Sequence, residues 1–413
     1  MSLAEGVSAR VAYKALSSGN ITANALANPS TAPGASGGQI LRRVSSTLTL
    51  EKNTYQSAEI RSDRQIVDFR HGTQRASGKV AGEFSGATYF DFFEAVNRDT
   101  RAAGPALDQT DLGTIACSSA GTVTVTSGDP VALGLAVGMV INMTGNTTSL
   151  GNDNVNFIIT GFSTSNNRVI AVTPDPVNST ASSTFTVTVP GHTTIVPSVS
   201  FTKRLFGLEV FHEDLNVSRL YNECRIGAWS TRLPATGMAT IDFDVMGRSE
   251  VDNPSGPYFT SPAAATTTGV FAAVNGMLLI GGVQVGVVTS VDMAMNLKPE
   301  AADVIGQNFP AEIFLGRNDL TGTMTAFLQD NTLIDDFINE SELQLLLYLT
   351  SNSTAQTPFV TMFLPRLKLS SAAVNLTGEA GQSISAGFQA LKYNGTAPGV
   401  TATTFQIQDS QVS

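Results

Sequence analysis

Histidine and cysteine, the residues that most often bind metals or act as nucleophiles, are few and scattered in this sequence. The three histidines, His71, His192 and His212, stand far apart and lack the spacing of metal ligands. His212 is followed by Glu213 and Asp214, but a short acidic cluster of this kind is typical of a solvated turn. There is no GxSxG motif, P-loop or GxGxxG motif after a strand. We therefore expect no enzyme, no metal and no other cofactor.

The two cysteines, Cys117 and Cys224, are too few for a disulfide framework, and a reducing compartment is compatible with them. Cys224 lies in a predicted strand beside Trp229. A buried, unreactive thiol is the expected state of a cysteine in that position.

Composition indicates an ordered, acidic and mainly β protein. The 413 residues are 42% hydrophobic and 14% charged, and Gly, Thr, Ser, Asn and Val occur in short alternating runs. The length suggests two to four domains. The net charge of −10 argues against a protein that grips nucleic acid through its phosphates. The N-terminus lacks the apolar core of a signal peptide and the apolar runs are too short to span a bilayer. We therefore expect a soluble protein, or one that leaves the cell without the usual secretory signal, and no membrane partner.

One segment of the sequence recurs at a spacing of 244 residues, without a gap. The identical pairs include Gly37/Gly281, Gly38/Gly282, Val44/Val288, Ser46/Ser290, Gly72/Gly316, Gly78/Gly322, Thr88/Thr332, Asp91/Asp335 and Phe93/Phe337. A weaker repeat relates residues 224–247 to 366–393. The alternative is that two β-rich segments share glycines at turns by chance, but an ungapped repeat of this length predicts two related β domains.

The best-defined part of the first copy is residues 47–97, which we interpret as a strand, a long charged loop, two strands and a short helix. Ile66, Val67 and Phe69 restart a strand that Gly72 breaks. Thr88 is a plausible N-cap for the aromatic helix that follows.

These patterns predict a division of the chain into two tandem β-sandwich or barrel domains, each with a flanking short helix, plus an inserted small β domain. The predicted segments are an N-terminal arm (1–36), barrel one (37–106 and 192–262), the insertion (107–191), a linker (263–276), barrel two (277–394) and a loosely held C-terminal tail (395–413). The arm has no evident counterpart in the second copy, and one short ordered piece is expected around 11–16.

The segment TYQSAEIRSDRQIVDFRHGTQRASGKVAGEFSGATYFDFFEAV resembles the major tail tube proteins of long-tailed (siphovirus-type) bacteriophages, in a tandem two-barrel form. The resemblance lies in the charged run 57–65, the Gly-containing turn after it and the strand that leads into an aromatic helix. Residues 222–249, NECRIGAWSTRLPATGMATIDFDVMGRS, resemble the closing hairpin of that family. The resemblance covers 37–106 and 192–250 directly and 277–394 through the internal repeat.

The resemblance implies a structural virion protein whose copies form rings that stack into a hollow tail tube for genome ejection. In the family six such domains enclose the channel, so a chain with two barrels would form homotrimeric rings with pseudo-six-fold symmetry. The implied partners are further copies of the chain in a helical assembly, a tape measure protein, a tail terminator, and double-stranded DNA that passes without specific binding. The implied location is the virion tail, assembled in the host cytoplasm.

Strand alternation suggests which side chains line the channel and which join the rings. The predicted lumen-facing residues are Glu83, Asp242, Asp244, Thr321, Thr323, Thr325, Ser383 and Ser385, whose neighbours Ile241, Phe243 and Val245 would face the core. Lys79 departs from this acidic or neutral face and would pair with Glu83 or with a charge on a neighbouring strand. The predicted inter-ring stacking loop carries Glu51, Lys52, Glu59, Arg61, Asp63 and Arg64.

Two other interpretations of the sequence remain open. A tandem β-domain adhesin or surface-layer protein would have the same Thr- and Asn-rich, acidic composition, although such a protein would carry a signal sequence. A tube terminator or a baseplate ring protein would share the fold, although terminators are usually single small domains.

Overall fold

The structure, a computed structural model, describes residues 5–16, 33–146, 150–253, 256–354, 357–375 and 381–412. These residues form a mainly β protein with short flanking helices and a separate small sheet, which confirms the predicted fold class.

In chain order, the first part of the protein contains β1 (Ala9–Ala15), β2 (Gln39–Ile40), β3 (Ser45–Ser46), β4 (Thr49–Gln56), β5 (Phe69–Glu83), α1 (Phe90–Asn97) and β6 (Ala102–Ala103). The middle contains β7 (Ala106–Asp108), α2 (Gln109–Leu112), β8 (Ile115–Ser118), β9 (Thr122–Val125), β10 (Val140–Thr144), β11 (Asn156–Phe162), β12 (Val169–Thr173) and β13 (Thr186–Thr188). The return segment contains β14 (His192–Ile195), β15 (Phe206–His212), β16 (Val217–Pro234), β17 (Thr240–Gly247) and β18 (Ser249–Asn253). The remainder contains β19 (Met277–Ile280), β20 (Val283–Gln284), β21 (Val288–Asn296), β22 (Glu300–Ala302), β23 (Glu312–Phe314), β24 (Asp319–Phe327), α3 (Thr332–Ile338), β25 (Leu343–Thr350), β26 (Phe359–Asn375), β27 (Ser383–Ala390) and β28 (Gln406–Asp409).

Two groups of strands have the same pairing order, and we call them the first unit (β1–β5 and β15–β18) and the second unit (β19–β28). In the first unit the order is β4-β5-β17-β16, and the first half of β16 lies between β15 and β18. In the second unit the order is β21-β24-β27-β26, and the first half of β26 lies between β25 and β28. A β-bulge after Ile226 in β16 recurs after Leu369 in β26. The bulges align the two units residue by residue.

This alignment corrects the sequence repeat in one strand. Thr49 pairs with Ser77, and Ala294 pairs with Thr321. Ser77 and Thr321 are separated by the predicted 244 residues, but Thr49 and Ala294 are one residue further apart. The repeat is therefore not free of gaps, because the spacing between β4 and its counterpart β21 is one residue longer than the spacing between β5 and β24. With this shift Leu48 and Leu50 correspond to the buried Met293 and Met295.

The N-terminal arm has a counterpart after all. Strand β1 pairs with β15 and β2, and β19 pairs in the same way with β25 and β20. The paired glycines of the repeat, at 37–38 and 281–282, lie just before β2 and β20 and have positive φ, which glycine tolerates best. The sequence missed this equivalence because 17–32, between the strand and the glycines, has no matching segment in the second copy; residues 17–32 lie outside the described part.

The C-terminal tail, which was predicted to be loosely held, and the predicted linker are both packed. In the predicted tail, β28 pairs with both β14 and β26, and Phe405 is fully buried. In the predicted linker, Phe271 is fully buried against Phe84. The prediction of a loose tail was wrong because the partners of β28 are distant in sequence.

The helix and the charged loop also differ locally from prediction. Helix α1 begins at Phe90 with Tyr89 as its N-cap residue, and the Thr88 hydroxyl hydrogen-bonds to Ser85 and Thr266 instead of capping it. Gly72 lies inside β5, which it does not break. Ile66 and Val67 precede β5 and are exposed.

The seven strands β7–β13 form a second sheet, all of them between Ala106 and Thr188. Its core continues into the second unit, since Phe359 and Phe363 pack in the same hydrophobic cluster. The Gln408 side chain also accepts a hydrogen bond from the Val140 N–H at 2.8 Å. The inserted sheet therefore packs against the second unit and is not attached through its connecting segments alone.

The main core lies where the two units meet. Trp229 of β16 packs against Phe93 of α1 and Phe405 before β28, with ring centroids 5.5 and 5.3 Å apart. Phe243 of β17 contacts Phe93 at 5.4 Å. Cys224 is fully buried in this cluster, and burial raises the pKa of its thiol, as expected of an unreactive cysteine.

Replacement of Phe405 by alanine should destabilise the chain by about 3–5 kcal/mol, because it leaves a cavity beside Trp229 and Phe93. Replacement of Phe327, which is 53% exposed, is the matched control and should cost less than about 0.5 kcal/mol. The measurement is urea unfolding of the unassembled chain, followed by tryptophan fluorescence. Equal losses in the two variants would mean that the C-terminal segment is not part of the core.

Candidate assembly surfaces

Strands β16 and β21 join the two units into one sheet. Residues 228–234 of β16 pair in antiparallel register with residues 290–296 of β21, while the other edge of the same part of β16 pairs with β17. The result is a continuous sheet of order β4-β5-β17-β16-β21-β24-β27-β26, which we call the wall sheet. Trp229 and Met295 face each other across the central pair and are both buried.

The two ends of the wall sheet have free edges. Among the described residues, β4 pairs only with β5, and the second half of β26, from Lys368 to Asn375, pairs only with β27. Strand β4 is the counterpart of β21, and β26 is the counterpart of β16. The free edges are therefore equivalent to the two edges that pair at the centre. Unpaired edges of this kind are templates for pairing with another chain.

One face of the wall sheet is polar. Ile241, Phe243 and Val245 of β17 are buried on the core side, and Asp242 and Asp244 lie on the opposite side. The Lys79 ammonium lies 3.5 Å from the Asp244 carboxylate and 4.0 Å from that of Asp242. Of the two expectations for Lys79, the neighbouring-strand pair is confirmed.

The other residues predicted for this face lie on it as well. Glu83, Thr321 and Thr323 are exposed, and Thr325 pairs across the strands with Ser385 and Phe327 with Ser383. The sequence missed a further ion pair at the centre, where the Arg232 guanidinium lies 3.7 Å from the Asp292 carboxylate. The face forms a shallow groove from Asp242 through Thr323 to Ser371. Its carboxylates at Glu51, Glu83, Asp242, Asp244 and Asp292 outnumber the cations Arg75, Lys79 and Arg232, each of which lies within 4.0 Å of an acid.

The predicted stacking loop is the outer part of a β-hairpin, β4–β5, which continues past a bulge near Asn53 to the pair Gln56/Phe69. Two of the six predicted residues belong to the strand: the Glu51 carboxylate accepts a hydrogen bond from Ser77 at 2.7 Å, and Lys52 pairs with Gln74. The other four residues, Glu59, Arg61, Asp63 and Arg64, lie near the hairpin tip. The Arg61 guanidinium is 3.5 Å from Asp63 and 4.0 Å from Glu59, and Arg64 has a φ of 58°.

This hairpin also carries large apolar side chains that face solvent. Their exposed fractions are 58% for Tyr55, 99% for Ile60, 65% for Ile66, 50% for Val67 and 54% for Phe69. The sequence pattern placed Ile66, Val67 and Phe69 in one strand, and of these only Phe69 lies in β5. A row of exposed apolar side chains on one hairpin is typical of a surface that another protein covers.

The equivalent hairpin of the second unit, β22–β23, is held by the first unit. The Arg225 guanidinium donates to the Ile313 carbonyl at 2.7 Å, and the Lys203 ammonium lies 2.5 Å from the Glu312 carboxylate. The Arg248 guanidinium donates to the Pro310 carbonyl at 2.7 Å. Burial lowers the pKa of Arg225, but the site remains cationic at neutral pH. Ile313 is 1% exposed in this contact.

A family model described as phage tail tube protein matches residues 6–390. The chain belongs to the phage tail tube protein family. No match was found among curated proteins.

Membership of the tail tube family makes this chain a structural component of the virion tail that self-assembles into a tube. It favours this role over the adhesin or surface-layer interpretation. In the described part of the chain, no three His, Cys, Asp or Glu side chains are grouped so that they could hold a metal ion. None of its described helices is long and apolar enough to cross a membrane.

Proposed function

We propose that three copies of this chain close into a ring and that such rings stack into the tube of a siphovirus-type tail. The observation that supports this proposal is the β16–β21 junction, in which one unit is already joined to a second, equivalent unit. If each β26 edge pairs with the β4 edge of the next copy as β16 pairs with β21, three chains supply six units. Six units match the number of domains that the family resemblance implies around the channel. An interface that repeats one contact head to tail closes when the rotation allows it.

The central junction defines the register of the proposed contact. Ser230 lies opposite Ala294 in the chain. The counterparts of these residues are Ala373 and Thr49, so the pairing places Ala373 of one subunit opposite Thr49 of the next. In the same register Val374 lies opposite Leu48.

The exposure of apolar side chains at β4 supports the proposed contact between β26 and β4. Met293 and Met295 of β21 are 2% and 0% exposed because β16 and its unit cover them. Their counterparts are Leu48, directly before β4, and Leu50 in β4, and both are only half-buried in the single chain. A neighbouring β26 would cover them and remove more apolar surface from water, which favours association.

In the closed ring, the polar face of the wall sheet lines the channel, so Glu83, Asp242, Asp244, Thr321, Thr323, Thr325, Ser383 and Ser385 face the lumen. Double-stranded DNA has to slide past this surface at ejection, and cations on it would hold the phosphates. Here Lys79 and Arg232 are each paired with carboxylates. The face therefore offers DNA no specific binding.

The hairpin tip, with Glu59, Arg61, Asp63 and Arg64, contacts the adjacent ring through charge-assisted hydrogen bonds. A tape measure protein inside the tube and a terminator at its end are the further partners, and assembly takes place in the host cytoplasm. These roles rest on the family resemblance, and the protein has no enzymatic step to perform in them.

Electron microscopy of the purified protein, with two-dimensional class averages, tests the proposal directly. We expect hollow rings or tubes with three inserted sheets around the rim and six wall units around the lumen. Six inserted sheets would mean six chains per ring. Protein that stays monomeric at high concentration would contradict the assembly as a whole.

Paired cysteines test the register of ring closure. The variant Ala373→Cys with Thr49→Cys should form disulfides between subunits and yield covalently closed trimers under oxidising conditions. The matched control, Ser371→Cys with Thr47→Cys, uses the same two edges and face but lies four residues out of register, so it should not cross-link. The native Cys117 and Cys224 are buried and leave the readout clean. Cross-linking of the control alone would overturn the register.

Charge reversal tests the role of the wall face. Asp242→Lys with Asp244→Lys should leave ring formation intact but raise the affinity of tubes for double-stranded DNA about tenfold at low salt, an effect that physiological salt reduces. The control, Asp175→Lys with Glu213→Lys, makes the same charge change away from the wall sheet. The measurement is co-sedimentation of labelled DNA with tubes at two salt concentrations. Equal DNA binding by the two variants would argue that this face does not line the lumen.

A further inference from the structure

The two hairpins of the chain are equivalent, but their outer pairs are covered to different extents. The first hairpin contacts the second unit only further in, where the Thr73 hydroxyl donates to Asp303 and the Gln74 N–H donates to the Asn308 carbonyl among the described residues. Beyond the bulge near Asn53, Tyr55 pairs with Arg70, and at the equivalent position Glu300 pairs with Phe314. Phe69 therefore corresponds to Ile313. Ile313 is 1% exposed, whereas Phe69 is 54% exposed. The first hairpin has an apolar side chain at the position where the second is buried by the first unit.

The groups that hold the second hairpin have counterparts on the second unit. Arg225 directly precedes Ile226, after which β16 has its bulge. In the same way Lys368 directly precedes Leu369, after which β26 has its bulge. Lys203 lies three residues before β15, and Glu340 lies three residues before β25; the first residues of these strands pair with equivalent positions of β16 and β26. Lys368 and Glu340 thus occupy the places of Arg225 and Lys203.

The charges on the first hairpin are complementary to those at Lys368 and Glu340 on the second unit. The Lys368 ammonium lies 3.4 Å from the Glu340 carboxylate, and these side chains are 34% and 80% exposed. On the first hairpin, the Arg70 guanidinium lies 2.9 Å from the Asp68 carboxylate, and these side chains are 79% and 51% exposed. Asp68 corresponds to Glu312, the residue that Arg225 and Lys203 hold. Of the two proposed pairs, Lys368 with Asp68 repeats an internal contact, that of Arg225 with Glu312. Glu340 takes the place of the cation Lys203, so its partner has to be Arg70, whose guanidinium lies beside Asp68.

We propose that residues Asp68 to Arg70 of the first hairpin, which we call the hairpin base, dock on the second unit of the neighbouring subunit in the same ring. The contacts are Lys368 with Asp68 and Glu340 with Arg70. The docking covers Phe69 as the first unit covers Ile313. The proposal rests on the proposed trimeric ring and adds a second contact to its strand pairing. It also divides the hairpin: the base closes the ring, and only the tip from Glu59 to Arg64 is left to contact the next ring.

Charge reversal at the hairpin base separates ring closure from stacking. Lys368→Glu and Asp68→Lys should each raise the concentration needed for ring formation about tenfold, because each places like charges across the contact. The double variant Lys368→Glu with Asp68→Lys should restore assembly, since it presents two acids to two cations. Lys392→Glu, an exposed charge reversal on the same unit, is the control and should assemble normally. The measurements are sedimentation velocity for rings and electron microscopy for tubes.

A tip variant completes the experiment. Arg61→Glu with Arg64→Glu should give normal rings that fail to stack. If Lys368→Glu and Asp68→Lys instead gave normal rings that did not stack, the base would be a stacking contact and the docking would be overturned, while the proposed function would stand. Failure of the double variant to recover would also overturn the ion pairing. If the unaltered protein formed no rings, the proposed function itself would fail.

Discussion

Hydrogen bonding between β16 and β21 fixes how the two units of this chain sit relative to each other. The ladder runs over seven residue pairs, from Ala228/Asn296 to Pro234/Ser290. Side chains alternate between the two faces of a strand, so a slip by one residue would turn the apolar residues outward. The same register therefore places Trp229 in the core and Arg232 on the polar face. The wall sheet and the main core depend on one set of backbone bonds.

Because the two units are equivalent, the internal junction indicates how the exposed edges of the chain can pair. A chain with two equivalent units and one junction between them has one of each edge left over, and in this protein these edges are β4 and the second half of β26. The two sets of edges are not alike, because Trp229 corresponds to the small Ala372, and Arg225 to Lys368. In the proposed ring, such differences would let the chain distinguish its internal contact from the contact with a neighbour.

Local patterns predicted the parts of the fold that local forces determine. The alternation around Phe243 correctly separated Asp242 and Asp244 from the core, and the glycine pairs revealed the repeat. The sequence did not predict that β28 pairs with β14 and β26, because those partners are tens to hundreds of residues away. Ile66, Val67 and Phe69 were predicted to form one strand because an apolar run is typical of a strand, but the same run also suits an exposed surface of the kind that the proposed ring would cover. The sequence did not predict that Lys368 is equivalent to Arg225, because that alignment depends on the β-bulge in each strand.

The electrostatics of the wall face follow from the same geometry. Lys79 and the two aspartates lie on adjacent strands of one sheet, and Arg232 lies opposite Asp292, so each cation has an acid within about 4 Å. Exposed pairs of this kind contribute about 0–1 kcal/mol to stability, so folding gives little reason to place them there. In the proposed ring their effect on DNA would be larger, because a cation already paired with a carboxylate has no counterion-releasing contact to offer a phosphate. A lumen surface with more acids than bases would then leave the DNA free to move.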